Sequence, residues 1–120
     1  VLHEVAAVGR TGLEIAACAH LVERLLRTQQ HAEADALARR TLALMEERAP
    51  DNAYRGDVWL QCLPALLLRD VDGHRRELQR AVAWIEETAA RRVPATYRES
   101  FLERNPANRE LRRAASRQAR

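Results

Sequence analysis

An all-α fold is what this chain predicts, on three observations. Aromatic residues make up only 4% of the 120, and glycine and proline number four each, a poor inventory for sheets and hairpins. Apolar residues recur at three- and four-residue steps over most of the length. The residues between them are largely alanine, arginine and glutamate, which favour helices. This length has room for one domain with a modest core, so 1–120 reads as a single helical domain. The chain starts at Val1 without a methionine and holds no stretch like a signal peptide or membrane span, so it reads as an internal piece of a longer, cytoplasmic protein.

Residues 1–12 read as the remnant of a preceding helix, closed by Gly9 and Gly12. From Leu13 to about Gln29 the set Ala17, Cys18, Leu21, Val22, Leu25 and Leu26 marks an amphipathic helix. From Ala32 to about Arg48, Ala34, Leu37, Ala38, Thr41, Leu42 and Met45 mark a second, with a favourable Asp35–Arg39 pair. A short link at Gln30 makes these two an antiparallel hairpin over 13–48. The stretch APDNAYRGD (49–57) reads as a loop. A third helix is expected from Asp57, as N-cap, to Arg69, with Pro64 kinking or ending it. After DVDG (70–73), Leu78, Ala81, Val82, Ile85 and Ala89 share one face of a fourth helix, with Glu87 and Arg91 paired outside, giving a second hairpin over 57–92. Thr96 and Glu99 form a capping-box pattern for a short fifth helix. Asn105 and Pro106 then read as N-cap and first residue of a sixth, so that 95–120 holds two short C-terminal helices.

Little in the chain looks like chemistry. His3, His20, His31 and His74 show no paired metal-ligand spacing, and Cys18 and Cys62 read as reduced, buried thiols. Ser100 and Ser116 have no strand-turn-helix setting or obvious base. The pairs Glu46-Glu47 and Glu86-Glu87 diverge by about 100° around a helix and read as solvated. No catalytic residue, cofactor or metal is therefore expected. Charge is uneven: residues 1–90 hold 11 Arg against 14 acids, while 91–120 hold 9 Arg against 3 acids. Arg109, Arg112, Arg113 and Arg117, with Arg120, could contact phosphates or an acidic protein, or could simply be a solvated terminal helix.

RTLALMEE (40–47) and RAVAWIEE (80–87) agree at four positions at an offset of 40, the mark of repeated helical hairpins. The hairpin carrying Cys18, Leu21, Val22, Leu25, Ala34, Ala38 and Thr41 has large and small residues spaced as in a tetratricopeptide repeat, which it resembles. The second hairpin departs from that pattern at His74 and Pro64. With VPATYRESFLERNPANREL, the chain resembles the degenerate helical-repeat tails of large bacterial regulators that join an ATPase and often a DNA-binding domain. The resemblance implies a short stack of hairpins and a non-catalytic scaffold or sensor segment of a signalling or transcriptional regulator. Its partner would be a protein, a peptide or a neighbouring domain. It also implies a groove presenting Ala19, Glu23, Leu26, Arg27 and Trp59, although Trp59, like Trp84, fits a core position equally well. An apolar stripe left open at the N-terminal edge predicts dimerisation through residues 1–30. The rival expectation is a nucleic-acid-binding module built on the arginine tail.

Overall fold

A computed structural model describes residues 2–48 and 54–119, with side chains from Thr11 onward. Among these residues six helices follow in order: α1 (Leu2–Arg27), α2 (His31–Arg48), α3 (Arg55–Leu67), α4 (Val71–Arg91), α5 (Ala95–Glu103) and α6 (Pro106–Gln118). Among the described residues there is no strand. The all-α class therefore holds.

The boundaries depart from expectation where glycine and capping signals compete with packing. Gly9 and Gly12 lie inside α1 and do not break it. Glycine in a helix costs about 1 kcal/mol relative to alanine, far less than proline, and packing against α2 and α3 can offset that. The segment read as a separate remnant is thus the first half of α1. That helix closes on Gln29 in the left-handed region (φ 61°), with the Gln30 amide donating to the Leu25 carbonyl at 2.8 Å. The next helix turns straight back. Residues 49–53 of the expected loop lie outside the described residues, while Arg55, Gly56 and Asp57 are already helical. Tyr54 holds the N-cap position of α3 and Asp57 its first turn. Pro64 leaves the Leu60 carbonyl without its usual donor, yet α3 continues to Leu67. The Thr96–Glu99 box does not cap α5, because that helix starts at Ala95 after Pro94 with no side-chain cap.

Each helix from α1 to α4 packs on the next, α3 also packs on α1 and α6, and α6 also packs on α4 and α5. So α1, α3 and α6 lie side by side as one layer, with α2 and α4 behind them. The core sits between the layers, where Ile15, Val22, Met45, Trp59, Leu78, Ile85 and Leu111 are buried. α3 and α6 run parallel, since Tyr54 bonds to Asn108 at their starting ends and His74, just past the end of α3, meets Gln118 at the end of α6.

Candidate partner-binding surface

The predicted groove residues do not form one surface. Trp59 is 2% exposed, so it cannot serve as a surface anchor. Its ring packs tilted against Trp84 at 5.8 Å, and its Nε1 donates to Glu77 at 3.2 Å. Ala19 is fully buried. Glu23 and Arg27 form an exposed pair with each other at 3.0 Å, and Leu26 packs partly against the core. The reason is the register of α1. Ile15, Ala19 and Val22 turn inward, which leaves Leu13 at 70% exposure and Leu21 at 45%. A helix apolar on most sides has no unique stripe, so its spacing alone could not say which side is covered.

The arginines of α6 are likewise spread around the helix. Arg112 is drawn onto α5, donating to the Leu102 carbonyl at 3.3 Å and to Glu103 at 2.8 Å. Arg113 makes a long contact with Glu110, at 3.9 Å. Arg109 has a buried Nε with no partner among the described residues. Arg117 lines a groove. These four guanidiniums of one helix thus face different surroundings.

That groove, about 460 Å³, is the surface the sequence did not reveal. Leu60, Leu63, Pro64 and Leu67 of α3 form one wall, and Leu111 and Ala114 of α6 the other. Leu78 of α4 lies at the floor, and Glu110, Arg117 and Gln118 stand at the rim. Leu60 and Leu67 are 38% and 47% exposed, so two large apolar side chains stay wet along it. Gln118 Nε2 lies 2.9 Å from His74 Nδ1 at one end, a contact that asks for the ring proton on Nε2. Burial pushes the His74 imidazole below its usual value. His74 is thus built into the groove. The side of α1 carrying His20 continues this face, because His20 Nδ1 lies 3.2 Å from Gln61 Nε2 on α3.

The depression between α2 and α4, about 400 Å³, has a different character. Arg80 reaches Glu46 at 2.6 Å and Glu77 at 2.8 Å, and Arg39 joins Asp35 and Asp70 at 3.2 Å each. Its charges are mostly matched within the chain, so a partner gains little there. Among the described residues no three His, Cys, Asp or Glu side chains gather as a metal set. No helix among those residues is long and apolar enough to cross a membrane. Comparison with protein-family models, with curated proteins and with solved structures gives no match.

Proposed function

We propose that this chain is a non-catalytic helical interaction module that holds a protein or peptide partner in the α3/α6 groove. The observation that carries the reading is the apolar cleft itself, in which Leu60 and Leu67 stay uncovered beside Pro64 and Ala114 on two facing helices. The stacking order supports a tetratricopeptide-like arrangement, in which α1, α3 and α6 stand as successive inner helices and α2 and α4 as outer ones. Membership of a cytoplasmic signalling or transcriptional regulator belongs to the same proposal and rests on the resemblance alone. Exposed Leu13 and Leu21 support pairing of two copies through residues 1–30.

Amide chemical-shift mapping tests the reading. Titrating the ¹⁵N-labelled chain with amphipathic helical peptides should perturb residues 60–67 and 110–118 first. Shifts confined to α2 and α4, or a stronger response to duplex DNA along 109–117, would replace it with another partner surface or with the nucleic-acid reading.

A further inference from the structure

Resting on the groove reading, we propose that the α3/α6 groove takes one class of occupant in one direction. The occupant is an amphipathic helix of another polypeptide, acidic in its first turn and basic in its last, lying antiparallel to α3 and α6. The apolar walls fix the first part. Leu60 and Leu67 are seven residues apart, so they repeat after about two turns, roughly 10 Å along the helix. An incoming helix with apolar residues at i, i+3 or i+4, and i+7 presents a stripe of that pitch. A strand would find no ladder here, because the flanking backbones are engaged within α3 and α6, apart from the Leu60 carbonyl beside Pro64.

Charge fixes the direction. Glu110 lines the groove in the second turn of α6, and the exposed Asp57 lies one turn before Leu60 on α3, so each wall carries an acid toward its starting end. Arg117 stands at the other end. Neither Asp57 nor Arg117 has an ion-pair partner among the described residues, and Glu110 has only its 3.9 Å contact with Arg113. An antiparallel guest puts its first turn at Arg117 and its last turn at Asp57 and Glu110. Acid at the first turn and base at the last is also the order that a helix dipole favours. A parallel guest would need the reverse order, against its own dipole.

The outward side of α1 satisfies part of this recipe, with Leu13, Leu21, Glu14 and Arg24, but a second copy fits the direction poorly. A twofold axis that lays α1 face to face over the partner's α6 must run along the helices. Because Arg39 meets Asp70 and Glu46 meets Arg80, α2 and α4 run in one sense, and α1 and α3, which turn straight back into them, share the opposite one with α6; that axis therefore keeps α1 and α6 parallel and sets Glu14 toward the acidic end. The antiparallel arrangement would build an open chain of copies instead of a closed pair.

Fluorescence anisotropy on the full chain tests this with two labelled peptides of about 15 residues and identical composition. Both carry leucines at helical spacing. One has glutamates in the first turn and arginines in the last, and the other has these charges exchanged. The first is expected to bind at least about tenfold tighter, to lose binding with Ala114→Arg or Leu60→Lys, and to lose its advantage with Arg117→Glu. Circular dichroism melts confirm that the groove variants fold. Equal affinity of both peptides, with both lost in Ala114→Arg, would overturn the charge and direction assignment while leaving the groove reading intact. No binding by either peptide, or binding indifferent to both groove variants, would overturn both. Sedimentation showing a dimer that dissociates on Ala114→Arg would assign the groove to a second copy and so overturn this inference.

Discussion

Asn108 is fully buried, and its side chain joins three elements. Its Oδ1 accepts from the Tyr54 hydroxyl at 2.5 Å, its Nδ2 donates to the Phe101 carbonyl at 2.9 Å, and its amide donates to Asn105 Oδ1 at 3.1 Å. The entrance of α3, the body of α5 and the first turn of α6 therefore meet at one amide group. Gly56 belongs to the same corner, since a Cβ there would stand 2.5 Å from the Tyr54 ring and 3.1 Å from Asn108 Oδ1. Asn105→Ala should remove only the cap of α6, costing about 1 kcal/mol. Asn108→Ala should cost more, about 1–3 kcal/mol, by leaving the partly buried Tyr54 hydroxyl and Phe101 carbonyl without their partner. Amide exchange separates the two variants. Asn105→Ala should speed exchange in the first turn of α6, whereas Asn108→Ala should also speed it at the start of α3. Equal, purely local effects would remove Asn108 from its joining role. The pair Asn105-Pro106 was legible as a cap because capping is local chemistry. Asn108 was not, because what a buried amide does depends on partners as distant as Tyr54.

At the scale of elements, a face could be read when its apolar residues formed one narrow stripe. α2 buries Ala34, Ala38, Thr41, Leu42 and Met45, and α4 buries Leu78, Ala81, Ile85 and Ala89, all expected from spacing. The capping of α4 was hidden, because DVDG reads as a link. Asp70 is its N-cap, accepting from the Gly73 amide at 2.9 Å and from Arg39 of α2 at 3.2 Å. The Gly73 amide and then the Arg39 guanidinium hold its carboxyl below the usual range. A Cβ at position 73 would stand 2.3 Å from Asp70 Oδ2, so glycine at this position leaves room for the cap. Gly73→Ala, ordinarily a favourable change in a helix, should here unseat the carboxylate and lower the melting temperature. Faster exchange at Gly73 and His74 would accompany it, and a raised melting temperature would refute the clash. At its other end α4 is closed from outside: Arg98 of α5 donates to the Ala89, Ala90 and Val93 carbonyls at 2.8 to 3.1 Å. The groove was illegible for a related reason. Leu60, Leu67 and Ala114 come from segments about fifty residues apart, and nothing local marks which leucines the fold leaves uncovered.

For the whole molecule, the arrangement of α6 makes stability depend on pH through His74. This ring lies in the first turn of α4, buried beneath the groove and facing Gln118, with Arg117 on the same lining. Protonation would place a charge in a desolvated position and turn Nδ1 into a donor facing the Gln118 amide nitrogen, the atom now 2.9 Å away. Burial lowers the folded-state pKa, so the unfolded chain takes up the proton first as pH falls through about 6.5. Stability is then complete above that value and declines on acidification until the folded-state value is passed. Asp70 acts in a separate window. Its depressed carboxyl contributes above the ordinary value of 3.8, and that contribution is lost as pH falls further through the folded-state value. Urea midpoints measured at pH 7.5 and 5.5 should therefore fall in the native chain through His74 before Asp70 is reached. His74→Gln should flatten the difference. Amides in the last turn of α6 should exchange faster at pH 5.5 in the native chain but not in the variant. An equal pH slope in both chains would show that another group carries the dependence and that the end of α6 is held independently of His74.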